Sequence, residues 1–178
     1  EGFEAGGHKG RDETTTFCLI PMVKAAIDIP LIAAGGIGTG RGMLAAMNLG
    51  ADAVQVGSRF VTSTESSAHE NFKQYIIASE EGDTMLTLKE LTPVRLLKNE
   101  FYTKLQSAYQ DGADKEKLTQ ILGRGRAKKG MFEGDLVEGE LEIGQIAGLI
   151  EKIIPAGEIV QEMMTEFHQV LNEQKNYL

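Results

Sequence analysis

The stretch Leu31–Phe60, LIAAGGIGTGRGMLAAMNLGADAVQVGSRF, decides the fold. It reads as strand, glycine turn, helix, strand and polar turn. Leu31 to Ala34 is a short apolar run behind Pro30, a residue accepted at the first position of a strand but not in its middle. Arg41 to Leu49 follows, with Met43, Leu44 and Met47 among the helix formers Ala45 and Ala46, and Gly50 stands where helices favour a glycine stop. Ala53 to Val56 is the next strand. A strand, a helix and a second strand in so short a span is the crossover unit of a parallel sheet.

Both strands end in small residues, Gly35-Gly36 and Gly57-Ser58. Neighbouring strand ends without Cβ atoms let a ligand approach backbone N–H groups, and Ser58 adds a hydroxyl. This is a phosphate cup of the kind that barrels of eight β/α units commonly carry in their last loops, beside a helix N-terminus. Tight turns alone would account for the same glycines. A dinucleotide fold also competes, but Gly36, Gly38, Gly40 and Gly42 alternate instead of following G-x-G-x-x-G, and no acidic residue closes the strand ending Gln55-Val56-Gly57.

Upstream, Gly6-Gly7-His8 and Gly10 form a third glycine-rich strand end. A histidine among glycines is accessible to a ligand and can serve as acid, base or donor near neutral pH; an exposed loop histidine is the alternative. Thr14-Thr15-Thr16 can cap a helix whose apolar positions are Phe17, Leu19, Ile20, Val23 and Ile27, and Cys18 within it reads as a buried, inert thiol.

Three segments carry a resemblance: EGFEAGGHKGRD (1–12), IPLIAAGGIGTGRGMLAAMNLGADAVQVGSRF (29–60) and, more weakly, GQIAGLI (144–150). They resemble the nitronate monooxygenase family, whose barrel and motifs are shared by flavin-dependent enoyl-acyl-carrier-protein reductases. The resemblance implies the C-terminal part of an FMN-binding (β/α)8 TIM barrel, an α/β fold, with a small, mostly helical lid. It makes His8 the catalytic candidate. Gly6, Gly7, Gly35, Gly36, Gln55, Gly57 and Ser58 become the candidate FMN-binding residues.

The chain has 178 residues, 42% hydrophobic and 25% charged, with a net charge of −8. That composition suits a soluble globular protein and argues against attraction to nucleic acid or an anionic membrane. No apolar run approaches the roughly 18 residues of a membrane span. A single cysteine excludes an internal disulfide, no residues have metal-ligand spacing, and a cytoplasmic setting is expected. A full barrel needs about 200 to 250 residues, so the chain is expected to be part of a longer enzyme whose upstream strands complete the sheet and are its first partner.

Residues 1–80 are assigned to the last barrel strands and helices, 81–145 to the lid and 146–178 to C-terminal helices packing back on the barrel. Beyond Phe60 the pattern reads as helical: Glu65 to Ala78 is amphipathic, Pro93 marks a turn or helix start, and Asp111 to Lys117 is a charged linker. GRGRAKKG (123–130) is a solvated basic loop or a dock for the phosphates of a thioester carrier. Glu133 to Glu142 is an acidic loop approaching the active site, and Gly144-Gln145 either brings an amide toward the flavin or starts a helix. The helix from Pro155 to about Leu171 presents Ile159, Val160, Met163, Met164, Phe167, Val170 and Leu171, a face for the core or for a homodimer.

The expected function is FMN-dependent oxidation of small alkyl nitronates or nitroalkanes with O2. An NADH-dependent enoyl-thioester reductase and a non-enzymatic flavin-binding module are the alternatives.

Overall fold

The computed structural model describes residues 1–174; positions 175–178 of the assigned C-terminal segment lie outside the described residues. In chain order the elements are β1 (Gly7–His8), α1 (Thr16–Lys24), β2 (Ile32–Ala34), α2 (Gly40–Asn48), β3 (Ala53–Gln55), α3 (Ser58–Val61), α4 (Glu70–Ile77), β4 (Thr84–Thr87), β5 (Val94–Leu97), α5 (Glu100–Gln110), α6 (Lys115–Leu122), α7 (Arg126–Met131), a 3-10 turn (Gln145–Leu149) and α8 (Ala156–Gln174).

The stretch from Leu31 forms the expected crossover unit. β2 and β3 pair in parallel, with Ile32 opposite Ala53 and Ala34 opposite Gln55, and α2 connects them. Thr39 caps α2 by accepting from the Gly42 N–H, and Gly50, at φ +112°, ends it. Alternation along the strands gives each sheet face its own residues. Ala33 is buried with Ile20, Ala46 and Ala51, against α1 and α2. Ile32, 61% exposed, lies on the open face with Ala53 and Gln55. No closed barrel forms among the described residues; the fold is mixed α/β.

A second sheet corrects the helical reading beyond Phe60. β4 and β5 form an antiparallel hairpin, Thr84 opposite Leu97 and Thr87 opposite Val94, so Pro93 introduces a strand. β1 adds to the hairpin with Gly7 opposite Arg95. Burial explains the missed strands: all four β5 residues are inside, so the two-residue alternation that betrays a half-exposed strand is absent. Two further clusters flank this sheet. Leu88, Val94, Leu96, Phe101, Leu105 and Leu118 pack on the α5–α6 side. Phe72, Ile76, Leu97, Leu141, Ile143 and Ile146 pack toward α4.

Other expectations change as well. Cys18 is exposed, and Phe17 is 68% exposed, because α1 buries only Ile20. Thr15 sits at the cap position of α1 without a side-chain bond; Glu4 does the capping, its carboxylate accepting from the Thr16 N–H at 3.0 Å. Only part of the basic stretch is a loop: Gly123 to Gly125, with exposed Arg124, join α6 to α7, and Arg126 to Gly130 are helical. Its Arg126 donates to Leu122 O and Glu138 O and stacks on Phe101, while Lys128 and Lys129 pair with Glu133 and Asp135. α8 buries Ile159, Met163 and Val170 while its Val160 and Met164 stay exposed, and it packs closely on α2, so its buried face is core. The approach is close at Gly40, where a methyl group would lie 2.1 Å from Met163 O. None of the described helices is long and apolar enough to cross a membrane.

Candidate functional site

Parallel pairing sets the tip of β2 beside the tip of β3, so Gly35-Gly36 and Gly57-Ser58 face one opening. The Gly2 N–H donates to Ala34 O at 2.8 Å, which brings the first residues of the chain beside β2 as a third tip. Between them lies a cleft of about 230 Å³. Gly6, Gly7, Gly35, Gly36, Gln55, Gly57 and Ser58, the seven candidate binding residues, all line it.

The glycines there answer to different constraints. Gly35 and Gly36 turn the chain at φ +98° and +69°, a region L-residues with side chains avoid. Gly6 is fixed by contact: a Cβ would lie 2.4 Å from the Gly144 nitrogen. Gly57 has φ −104° and a Cβ on it would meet nothing within 4 Å. What it preserves is empty space in front of the backbone. The N–H groups of Gly36 and Gly57 find no acceptor among the described residues. Ser58 Oγ accepts from the Gly144 N–H at 2.9 Å, leaving its own proton to donate.

The floor comes from a segment whose position the sequence concealed. Glu142, Ile143, Gly144 and Ile146 line the cleft, with Met131 beyond them. The GQIAGLI motif signalled this segment, but Gln145 itself does not line the cleft. Its backbone N–H donates to Glu4 O at 2.9 Å, and that bond helps seat Gly144 against Ser58.

His8 is not at a bare strand tip facing the opening. It lies in β1, bound to β5, with its side chain about half exposed and outside the set of residues that line the cleft, and its Nδ1 is 3.6 Å from Glu142 Oε1. Burial raises the Glu142 carboxyl above the ordinary carboxylate range, offset in part by His8. Deeper, Glu140 is pushed up to about 7, first by burial and then by the negative charge of Glu142. Two cations hold the approach to His8. Lys9 Nζ donates to Gly2 O, Phe3 O and Ala5 O, while Arg95 donates to Phe3 O and lies 4.4 Å over the Phe3 ring. Burial lowers the pKa of both.

No group of side chains suited to a metal ion occurs among the described residues. The cleft offers an anion two uncommitted backbone donors and a hydroxyl, and the Glu142 carboxyl also lines it.

The sequence profile of the nitronate monooxygenase family matches residues 1–166. A probable nitronate monooxygenase of Staphylococcus saprophyticus is 33% identical over 97% of this chain and 51% of its own length. Among solved structures, FabK from Thermotoga maritima superposes with a TM-score of 0.91 at 39% identity, covering 99% of this chain and 56% of that one. A nitroalkane oxidase from Streptomyces ansochromogenes superposes with a TM-score of 0.77 at 30% identity, covering 98% and 52%. The chain thus spans about half the length of the relatives it matches.

Proposed function

The chain belongs to the nitronate monooxygenase family, and we propose that it acts as an FMN-dependent oxidoreductase that oxidises small alkyl nitronates or nitroalkanes with O2. The convergence of two bare strand tips with Ser58 carries this reading. The room kept open in front of Gly57, the uncommitted N–H groups of Gly36 and Gly57 and the free proton of Ser58 suit a phosphate held by neutral donors. Gly6 and Gly7 would border the cofactor where the first loop crosses the cleft. Gln55, exposed on the open face of β3, would contact it from the strand leading to the cup.

Bound there, the flavin supplies the electron transfer, and the protein binds, orients and shields. His8 would act at the reacting end, donating a hydrogen bond to a nitronate or taking a proton from a nitroalkane. The open face of β2 and β3 suits the remaining strands of a (β/α)8 barrel in a protein about twice this length. Residues 81–145 would then serve as the lid, and the segment from residue 146 would pack back on the barrel.

A second reading keeps the same cleft for an NADH-dependent reductase of enoyl thioesters, and the close fit to FabK favours retaining it. Of the four cations of the carrier dock that it would use, Arg126, Lys128 and Lys129 are already paired within the chain, and Arg124 stays exposed.

The test is direct. The purified full-length protein should show flavin absorbance, release FMN on denaturation, and consume oxygen with propionate 3-nitronate or nitroethane. A colourless protein that binds no FMN would overturn the cofactor reading. Rapid flavin reduction by NADH with turnover of a crotonyl thioester would move the assignment to the reductase.

A further inference from the structure

Lys9 holds the loop that precedes it from a fixed base. Its backbone N–H donates to Pro93 O at 2.9 Å, beside the start of β5, which anchors the residue to the antiparallel sheet. From there the side chain turns back, and Nζ donates to Phe3 O at 2.8 Å and to Gly2 O and Ala5 O at 3.1 Å each. An ammonium has three N–H donors and no acceptor, so these three carbonyls occupy it fully. Burial lowers its pKa, Arg95 adds to this, and the longer-range attraction of Glu1 and Glu4 opposes it. The same turn is tied down on its other sides: the Gly2 and Phe3 N–H groups donate to Ala34 O and Thr14 O, and Glu4 O accepts from the Gln145 N–H. Glu1, Glu4, Ala5, Gly6 and Gly7 carry the loop along the cleft, whereas Lys9 itself does not line it.

We propose that Lys9 is a positioning residue for the cofactor cleft: its ammonium serves as a built-in monovalent cation that gathers the carbonyls of Gly2, Phe3 and Ala5 and so sets the wall formed by Ala5, Gly6 and Gly7. This rests on the FMN reading above. Carbonyl oxygens carry partial negative charge, and three of them aimed at one point repel one another unless a positive group stands between them. A water molecule donates two hydrogen bonds and would leave one of the three unserved. Phe3 O also accepts from Arg95 Nε and Gly2 O from the Ala5 N–H; for Ala5 O, the carbonyl next to Gly6, Lys9 is the donor. Losing the ammonium therefore opens the turn at the end that borders the cleft. Gly6 has little room to follow, packed so tightly that a Cβ on it would lie 2.4 Å from the Gly144 nitrogen. A side chain too short to reach the carbonyls leaves a hole that a free cation of ammonium's size fills with the same bonds.

The experiment titrates FMN into the full-length apoprotein, followed by flavin fluorescence, in choline chloride and in ammonium chloride at equal ionic strength. Choline is too bulky to enter the turn. Lys9→Ala should weaken FMN binding at least about tenfold in choline, the equivalent of one charge-assisted hydrogen bond, and ammonium should restore most of the affinity. The wild type should bind FMN equally in both salts. Lys9→Met, which fills the space without charge or donors, should show the loss and no response to ammonium. Wild-type affinity of Lys9→Ala in choline, or a loss that ammonium leaves unchanged, overturns the proposal. Where the alanine variant is too unstable to load, its urea midpoint is read in the two salts instead, and a rise in ammonium no larger than the wild type's overturns it equally. A wild type that binds no FMN defeats the cofactor reading, and those urea midpoints still decide whether Lys9 stands in for a cation.

Discussion

Ser58 and Gly144 stand 86 positions apart and are joined by a hydrogen bond, the Gly144 N–H donating to Ser58 Oγ at 2.9 Å. That bond ties the last strand tip of the parallel pair to the segment that floors the cleft. It also commits the hydroxyl as an acceptor in one direction and leaves its proton for another. Ser58→Ala strands the Gly144 N–H and should cost about 1 to 2 kcal/mol of stability, read by urea denaturation. FMN affinity should fall in the same variant. Unaltered flavin affinity with the stability loss intact would place Ser58 in the scaffold alone.

Gly57 and Gly6 separate the two uses of glycine in this cleft. Gly57 has a backbone open to any residue and nothing within 4 Å of an added Cβ. Gly57→Ala should therefore leave stability within about 0.5 kcal/mol, or raise it slightly, while weakening FMN binding because the methyl group occupies room kept for the ligand. Gly6→Ala meets the Gly144 nitrogen at 2.4 Å and should cost about 1 to 3 kcal/mol. The comparison requires the two effects to fall on different observables, thermal unfolding for Gly6 and flavin titration for Gly57.

The contrast shows what the sequence could disclose. β2, α2 and β3 were legible because their signals are local: an apolar run behind Pro30, helix formers, then Gly50. The four cup candidates Gly35, Gly36, Gly57 and Ser58 came with them, since bare strand ends are written into the residues that follow β2 and β3, whereas Gly6, Gly7 and Gln55 followed from the family resemblance. The placement of His8 was not legible. Its strand is two residues long and exists only because β5 lies beside it, and β5 itself is buried on both faces and shows no alternation. Cys18 misled for a related reason: helical spacing shows which residues share a face, and only tertiary packing decides how much of that face is covered. The inward turn of Glu140 and Glu142 was likewise invisible, because an acidic run gives no hint of which carboxylates leave the solvent.

Arg95 should be the residue on which the approach to His8 depends most. The residue is 2% exposed, and its guanidinium donates to Phe3 O and Thr84 Oγ1 and covers the Phe3 ring, while one terminal nitrogen has no partner among the described residues. Arg95→Ala removes the packing and the bonds together and should cost about 3 kcal/mol. Arg95→Met keeps much of the volume and sheds the desolvated charge, so about 1 to 2 kcal/mol is expected. In both variants amide exchange at Gly6 and His8 should quicken, because β1 is held by only two residues of ladder. A methionine variant more stable than the wild type would mean that burying the charge outweighs every contact it makes.

The pH dependence of stability should carry the signature of Glu140. Its carboxyl titrates near 7 in the folded protein, against the ordinary 4.5. Below pH 4.5 it is protonated in both states and has no effect. Between 4.5 and 7 the unfolded chain releases the proton first, so stability falls as pH rises; above 7 both states are ionised and the loss is complete. The loss should be on the order of 3 kcal/mol, and Glu142, shifted in the same direction, adds to it. Carboxylates such as Asp52 and Glu138, whose pKa values are lowered by hydrogen bonds and neighbouring cations, work in the opposite sense: they lend stability above their unfolded pKa that disappears on acidification. The difference between wild type and Glu140→Gln isolates the buried group. Urea midpoints from pH 5 to 8 should diverge, with the variant gaining on the wild type at each step up to 7. Parallel curves would mean that the folded protein offers Glu140 a partner or enough water to hold its charge.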